Sequence, residues 1–282
     1  MNRGQGVAIN DSYLLSKFEE GQMKRQLLFF LLAALFVTSG SLVYAEEAAE
    51  QKTVFTLTPR VWFAFADVAD EGWYNAESFF IPMYGLTATV APRFMPNWSF
   101  LLTGLYGTSN GDFVVTESVP HYKGKADYER LDIEFLVRYT LPGTGLSFFL
   151  GPRYVKWQRE QNVKAWGNYR TKGKSNLWVG EVGASYVHAI GESGKHRLFS
   201  NLTLGIAYSD WDWRSNDPSE RAQSGHNTQP LVDANLGYEY LFTKEWSASL
   251  RYRIFALREE NDFGLKRWSL FHGPEIGLSF RF

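Results

Sequence analysis

Hydrophobic and polar residues alternate along the carboxyl-terminal stretch Pro274–Phe282. Four apolar residues occupy every second position, and charged or small residues stand between them. A period of two places the two sets on opposite faces of a β-strand. The pattern therefore predicts a closing strand with one apolar face, and this strand ends on the aromatic Phe282.

The same alternation predicts nine further strands upstream. The fourth is the clearest, because charged residues from Arg130 to Arg138 alternate with apolar ones. The predicted strands are Val54–Ala66, Phe80–Arg93, Trp98–Gly107, Tyr128–Leu141, Leu146–Trp157, Asn176–Val187, Leu198–Ser209, Val232–Phe242, Trp246–Leu257 and Trp268–Phe282.

Short and long connections alternate between these strands. The short ones are Phe94–Asn97, Pro142–Gly145, Ile190–Lys195 and Thr243–Glu245. The long polar ones are Asp67–Ser78, Thr108–Asp127, Gln158–Ser175, Asp210–Gln229 and Arg258–Arg267. Such alternation is typical of transmembrane β-barrels, and an even strand number leaves both chain ends on the same side. The soluble alternative is a lipocalin-like barrel or a β-sandwich, whose apolar face would point into a core.

Three features favour the membrane barrel. The face opposite the apolar one is rich in Gly, Ser, Thr and charges of both signs. Aromatic residues recur where two interfacial girdles would lie. These are Trp98, Tyr139, Phe242 and Trp246 at one set of strand ends, and Tyr154, Trp178, Tyr208 and Trp268 at the other. We predict an all-β fold, a ten-stranded antiparallel transmembrane up-and-down β-barrel that follows a cleaved signal peptide.

The last strand resembles the closing strand of Gram-negative outer-membrane β-barrel proteins. In those proteins the terminal aromatic residue is read by the barrel-assembly machinery. The resemblance therefore implies that Phe280 and Phe282 form the assembly signal and that the protein resides in the cell outer membrane. Outer-membrane lipid and lipopolysaccharide would then surround the barrel.

The amino-terminal region has the pattern of a secretory leader. Met23 to Arg25 form a basic start, the apolar run Leu27–Val37 follows, and Val43–Ala45 offers a small-x-small cleavage site. The run is too short for a membrane-spanning helix, which needs about 20 residues. We therefore expect residues 23–45 to be a signal peptide and residues 46–282 to be the barrel. Residues 1–22 are interpreted as an upstream extension of a chain whose translation starts at Met23.

Composition narrows the chemistry. The formal net charge is −1, so no basic excess points to nucleic acid. The chain has no cysteine, which excludes disulfides, thiol nucleophiles and cysteine metal sites. We expect no metal or other cofactor, and we expect a monomer.

The polar strand faces supply the main candidate site, a network of charges in the lumen. Its members are Arg60, Arg130, Asp132, Glu134, Arg138, Arg153, Glu181, Asp233, Glu239, Arg251, Arg253 and Glu275. A barrel of about eight strands has room only for side chains, whereas 16 to 18 strands leave a channel. We therefore interpret the network as a salt-bridged core in preference to a narrow ion path.

The fourth long connection offers a second candidate, with Asp210, Asp212 and His226. The strand number resembles that of omptin proteases, which would imply acidic residues and a histidine that activate water at the barrel rim. The Asp–x–His spacing of that family is absent here, because the nearest acid before His226 is Glu220. Solvated rim charge is therefore the preferred interpretation, and a rim hydrolase is the alternative.

Two further hypotheses concern the strand ends and the loops. A Ser/His/acid site like that of outer-membrane lipid A deacylases would need lipid-facing groups, and His188, His196 and His272 have no serine placed beside them. The long connections also mix basic and aromatic residues that suit an extracellular ligand or lipopolysaccharide phosphates. These are Tyr122, Lys123, Lys125, Trp157, Arg159, Lys164, Trp166, Tyr169, Arg170, Lys172 and Lys174.

Overall fold

A computed structural model describes residues 52–70, 76–115, 122–163, 169–219, 221–260 and 266–282. The predicted extension and signal peptide lie outside these residues. Ten β-strands account for nearly all of the described chain. They are β1 (Val54–Asp70), β2 (Ala76–Ala91), β3 (Trp98–Val115), β4 (Tyr122–Thr140), β5 (Leu146–Val163), β6 (Tyr169–Ile190), β7 (His196–Ser215), β8 (Gln223–Leu241), β9 (Trp246–Glu260) and β10 (Lys266–Arg281). None of the described segments is a helix that could cross a membrane.

The strands form one closed barrel in which every neighbouring pair is antiparallel. Each strand pairs with the next along the chain, and β1 also pairs with β10 to close the sheet. The closure extends to the last residue, because Phe55 and Phe282 exchange two backbone hydrogen bonds of 3.0 and 2.9 Å. The predicted ten-stranded up-and-down barrel is confirmed.

The strands are longer than predicted at one end of the barrel. The ends that meet at the short turns lie close to their predicted positions, whereas the other ends extend into the predicted long loops. For example, β5 runs to Val163 instead of Trp157, and β6 begins at Tyr169 instead of Asn176. Outside the lipid both faces of a strand can be polar, so the alternation that marks a strand fades although its backbone pairing continues. By the topology of such barrels, this extended end is extracellular and the short turns are periplasmic.

The outer surface carries an apolar belt bordered by aromatic residues, as the alternation predicted. Outward residues such as Tyr84, Leu150 and Ile206 are well exposed on the isolated barrel. On the periplasmic side the ring of Trp98 lies 5.0 Å from that of Tyr139. On the extracellular side, Tyr154 and Trp178 lie 4.7 Å apart, measured between ring centroids. The predicted girdle residue Trp268 lies outside the described side chains.

The lumen differs from the polar interior that the sequence predicted. Large apolar side chains fill its extracellular half and are almost fully buried, among them Trp62, Ile81, Met83, Leu105 and Phe255. Charged residues occupy the middle of the lumen, and hydrogen-bonded hydroxyl pairs such as Thr58–Ser279 and Thr87–Thr103 lie nearer the periplasmic end. The prediction of a polar lumen was wrong for this extracellular half, because inward residues such as Trp62 and Phe255 are apolar there as well. Where both faces of a strand are apolar, alternation does not show which residues point inward.

Candidate functional site

Charged side chains from six strands meet in the middle of the lumen. We call the following set the charged layer: Arg60, Arg130, Asp132, Glu134, Arg153, Asp233, Arg251, Arg253 and Glu275. Arg153 of β5 is its centre, because its guanidinium donates to Asp132 Oδ2 and to Asp233 Oδ2 at 2.7 Å each. Both acceptors lie on other strands, β4 and β8, so Arg153 ties opposite parts of the barrel wall together.

Each of these two aspartates is also held by a second arginine. Arg130 donates to both oxygens of Asp132, at 2.9 and 3.0 Å. Arg253 does the same for Asp233, at 3.1 and 2.5 Å. Such paired donation fixes the planes of both groups and is the strongest form of charged hydrogen bond in proteins.

Glu275 of β10 forms the second centre of the charged layer. It accepts a hydrogen bond from Arg251 and lies 3.5 Å from Arg60 Nη1 and 3.8 Å from Arg253 Nη1. Because Arg253 also binds Asp233, the two centres form one connected network. Its acidic and basic members largely neutralise one another, which is what burial of charge requires.

Aromatic rings cover the extracellular side of this network. We call Trp62, Phe79, Tyr128, Trp157, Phe255 and Phe271 the aromatic layer. The guanidinium of Arg130 lies 4.0 Å from the ring centroid of Phe271 and 4.3 Å from that of Phe255. Arg253 lies 4.6 Å from the centroid of Trp62. These distances are those of cation–π contacts, so the rings accept positive charge while they exclude water.

The aromatic layer is itself stacked across the lumen. Phe79 and Tyr128 lie face to face with 3.7 Å between ring centroids, and Trp157 lies 5.6 Å from each. Trp157 also meets Phe271 edge-on at 5.4 Å. The sequence placed Trp157 among surface loop residues, but it lies on the inward face of β5. The layer thus closes the lumen above the charges.

Three members of the predicted network are joined to the charged layer by no hydrogen bond or ion pair among the described residues. Glu239 accepts a hydrogen bond of 2.6 Å from Ser247 and lies 3.9 Å from Arg197, near the periplasmic turns. Arg138 lies over the ring of Phe149 at 5.9 Å, and within the described chain no carboxylate lies at ion-pair distance from it. Glu181 is almost fully buried, yet neither of its carboxylate oxygens has a hydrogen-bond partner among the described residues.

The rim candidates are brought near one another but not into a catalytic arrangement. Asp210 of β7 stands directly opposite His226 of β8 in the strand register. Within the described ranges no hydrogen bond joins them, and the His226 ring stacks on Tyr208 instead. Arg214 holds Asp212 through bonds of 3.2 and 2.8 Å, and these hydrogen bonds also raise the pKa of Arg214. All three candidates lie on the outward face of the barrel extension.

Two tryptophans beside these acids point the other way, toward the mouth of the lumen. Trp211 lies across Gly225 of β8, where an added Cβ would come within 2.8 Å of the indole. Trp213 lies against Gly173 of β6 in the same manner, at 3.9 Å. Glycine at these positions leaves room for the indoles, so the rim contributes packing on its inner side and charge on its outer side.

The residues that sequence reasoning missed are the inward aromatic ones. Phe255 and Phe271 are apolar residues on strands whose inward faces also carry Arg253 and Glu275, and a strict alternation count gives them no special weight. The signal that could have found them is their spacing: Phe255 follows Arg253 by two positions and therefore shares its face. No group of three or more metal-ligating side chains occurs within the described ranges.

Comparison with known proteins yields similarity of fold and none of sequence. No family model and no curated protein sequence matches the chain. The outer-membrane protease OmpT of Escherichia coli superposes with a TM-score of 0.65 at 8% identity, over 81% of this chain and 97% of that one. The chain has the fold of an outer-membrane β-barrel.

More distant structures belong to the same class. The translocator domain of the autotransporter NalP from Neisseria meningitidis matches at a TM-score of 0.47 and 11% identity, over 95% of this chain and 98% of that one. The attachment invasion locus protein Ail of Yersinia pestis matches at 0.32 and 12%, over 82% and 100%. Likeness at this level of sequence identity shows the barrel fold alone and gives no role.

Proposed function

We propose that this protein is a closed outer-membrane barrel with a structural or surface-binding role that conducts no ions in its native state. The observation that supports this most is the succession of two layers across the lumen. The charged layer joins β1, β4, β5, β8, β9 and β10 through side-chain contacts. The aromatic layer lies directly above it and is stacked from wall to wall.

A narrow ion path, the alternative for the same residues, would need charges that face water. Arg130, Arg153 and Glu275 are instead buried almost completely. Moving an ion through this region would require several bonded pairs to separate in a medium of low dielectric constant, which costs several kcal/mol for each uncompensated charge. The barrel is therefore better suited to mechanical stability than to permeation.

Reconstitution in planar bilayers tests this proposal directly. We expect brief or no current from the wild-type protein at moderate voltage. Trp62→Ala with Phe271→Ala, which shortens two members of the aromatic layer, should still give no large steady conductance, because the charged layer stays in place. A large and steady open-channel current from the wild-type barrel would contradict the proposal and favour a porin.

The extension of the barrel above the lipid belt is the surface proposed to meet lipopolysaccharide. Arg170, Lys172 and Lys174 are all exposed on the outward face of β6, above the girdle residue Trp178. Closely spaced cations at this height suit the phosphates of lipopolysaccharide. We expect the triple change to Gln to weaken lipopolysaccharide binding in a pull-down with purified protein, most clearly at low salt. An unchanged affinity at low salt would contradict this contact.

A rim hydrolase that uses Asp210, Asp212 and His226 is the other function that the sequence left open. The geometry favours it less, because Asp212 is bound by Arg214 and no hydrogen bond joins Asp210 to His226 within the described chain. Peptide cleavage by the purified barrel, abolished by His226→Ala, would revive this hypothesis.

A further inference from the structure

Three polar side chains form a hydrogen-bonded chain on the outer surface of the barrel. The hydroxyl of Tyr252 on β9 lies 2.6 Å from His272 Nδ1 on β10. The other ring nitrogen, His272 Nε2, lies 3.2 Å from Asp67 Oδ2 on β1. The three residues share the outward face with lipid-exposed neighbours such as Leu250 and Ile276, so the chain is separate from the closed lumen.

Which atom donates in each of these two hydrogen bonds follows from the groups that can only accept. An ionised carboxylate can only accept, so Asp67 accepts the hydrogen on His272 Nε2. In the neutral imidazole, Nδ1 is then the free acceptor, and the phenol of Tyr252 donates to it. The order is hydroxyl, imidazole, carboxylate. This is the order in which a nucleophile, a general base and an orienting acid stand in hydrolases that form covalent intermediates.

The backbone beside His272 has an unusual conformation. Gly273 has a φ of +150°, which residues with side chains rarely adopt. A Cβ at this position would lie 2.0 Å from the backbone oxygen of Phe63, so glycine is required there. The next residue, Pro274, has no N–H for the strand ladder. Irregular backbone of this kind is found preferentially at functional sites, where it orients a side chain.

The position of these three side chains on the barrel indicates which molecules they contact. His272 and Asp67 lie in the extracellular half of their strands and Tyr252 at the middle of β9, beside the exposed rings of Phe65 and Phe80. The side chain of Asp67 is 49% exposed and that of His272 is 26% exposed. Ionisable groups on a lipid-facing surface are costly, and their presence points to a function that involves the lipid.

We propose that Tyr252, His272 and Asp67 form a site that hydrolyses carboxylic esters of outer-leaflet lipids. This activity goes beyond the closed-barrel role and does not depend on it. The Tyr252 oxygen attacks the ester carbonyl carbon while His272 Nδ1 takes the phenol proton. The tetrahedral intermediate collapses, the alcohol leaves with the proton from His272, and the acyl group stays on Tyr252 as an aryl ester. Water, deprotonated by His272, then releases the fatty acid and restores the phenol.

The expected rate is modest. General-base catalysis by a positioned histidine contributes about 10²–10⁴-fold. The strand N–H groups near Tyr252 belong to the ladder between β9 and β10, so they are engaged in strand pairing and do not converge on a developing oxyanion. An aryl ester is, however, a reactive intermediate, and its hydrolysis should not limit turnover. We therefore expect slow but measurable release of fatty acid from membrane lipids.

The barrel contains a matched pair that serves as an internal control. At the opposite end, His196 Nδ1 lies 2.5 Å from the hydroxyl of Tyr238. Within the described part of the chain, no carboxylate bonds to His196. This pair has the same hydroxyl and imidazole but lacks the orienting acid, so it should be inert toward esters. Comparison of the two pairs separates a catalytic chain from a Tyr–His contact that only satisfies polar groups at a girdle.

The experiment uses the full folded protein in proteoliposomes that contain either lipid A or diacyl glycerophospholipid, with fatty acid release followed by mass spectrometry. We expect release in at least one arm, and the arm identifies the lipid that carries the ester. Tyr252→Phe and His272→Gln should lower the rate about 100-fold or more. Asp67→Asn should also lower it, because the imidazole then loses its orientation. Tyr238→Phe and His196→Gln should keep the wild-type rate.

Two readouts keep the result clear of folding effects. Each variant is first shown to retain the wild-type mobility shift between unboiled and boiled gels, which reports a closed barrel. Intact mass after brief exposure to a short-chain aryl ester, whose better leaving group makes acylation faster than with a lipid ester, should then show one acyl group on the wild type and none on Tyr252→Phe. Absence of fatty acid release in both lipid arms would overturn the proposal. A Tyr252→Phe protein with the wild-type rate would overturn it equally.

Discussion

Arg153 Nη1 lies 2.7 Å from Asp233 Oδ2, and this contact joins β5 to β8 through the interior of the barrel. The two residues are eighty positions apart in sequence. Neither could be buried alone, since an uncompensated charge in the lumen costs several kcal/mol. The contact therefore makes assembly of the two halves of the barrel interdependent.

Removal of Asp233 tests this interdependence. Asp233→Ala leaves Arg153 and Arg253 without one of their carboxylates, and we expect the free energy of unfolding to fall by about 3–5 kcal/mol. Glu134→Ala should cost less, because the Glu134 side chain is 20% exposed and lies 3.8 Å from Arg153 Nη1. The measurement is guanidinium unfolding of the barrel in lipid. Asp212→Ala, which breaks an exposed pair with Arg214, serves as the control and should have little effect.

At Glu181 we expect a substitution to stabilise the barrel, the opposite of the effect at Asp233. Its buried carboxylate has no hydrogen-bond donor among the described residues, so an ionised Glu181 is destabilising. Glu181→Gln keeps the shape and removes the charge, and we expect the free energy of unfolding to rise by about 1 kcal/mol or more. Glu275→Gln makes the same chemical change at a carboxylate that Arg251 binds, and it should destabilise the barrel. Equal effects at both positions would contradict the assignment of their partners.

The aromatic layer should contribute stability of its own. Phe271 is buried between Arg130, Phe255 and Trp157, so Phe271→Ala leaves a cavity in the lumen. We expect a loss of about 3–5 kcal/mol in the free energy of unfolding. Phe148→Ala removes an equal ring from the lipid-facing surface, where lipid tails fill the space. Its loss should be clearly smaller, and a loss as large as that of Phe271→Ala would show that the lumen is not packed as described.

Much of the fold follows from the sequence because lipid and lumen impose a two-residue period on the wall. Ile133 and Arg130 illustrate it, since one is outward and exposed and the other is inward and buried. The strand ends at the short turns follow as well, because Gly143 and Gly191 have positive φ angles in the turns that the sequence marked. The extracellular ends do not, since polar residues such as Gln158 and Lys172 continue β5 and β6 without alternation.

The candidate sites depend on contacts that no local pattern contains. Alternation places Arg153 and Asp233 on the inward face, but only the closed barrel brings them to 2.7 Å. The Tyr252–His272–Asp67 chain likewise needs β10 to pair with β1, which joins the two ends of the chain. In the sequence His272 has no serine beside it, and its partner Tyr252 stands on the neighbouring strand, 20 positions away.

The inward and outward faces can be tested on a single strand. Ile133→Arg puts a charge on the lipid-facing side of β4, opposite the girdle residue Tyr154 of β5. It should cost about 1–2 kcal/mol, between the values for the midplane and the interface. Glu129→Arg makes a similar change four residues away on the same outward face, but above the lipid belt beside Lys156. It should cost far less, because water solvates the side chain there. The gel shift between unboiled and boiled samples measures the assembly of both variants, and unfolding in lipid measures their stability. Stable assembly of Ile133→Arg at the wild-type level would contradict the assignment of the faces.

A substitution at the terminal Phe282 can distinguish an effect on assembly in the cell from an effect on the stability of the folded barrel. Its ring stacks on Phe55 at 5.8 Å and on Phe280 at 5.6 Å, and its backbone closes the seam between β1 and β10. Phe282→Ala keeps the backbone bonds and removes the ring. The ring contact with Phe55 is worth about 0.5–1.5 kcal/mol, so refolding in detergent should be near normal.

Phe55→Ala removes the same contact from the other side and leaves the carboxyl terminus intact. If the assembly machinery reads Phe282, only Phe282→Ala should accumulate unfolded in cells, as measured by the fraction of outer-membrane protein that shifts on boiling. Equal accumulation of both variants would mean that the ring acts through the barrel seam and not as an assembly signal.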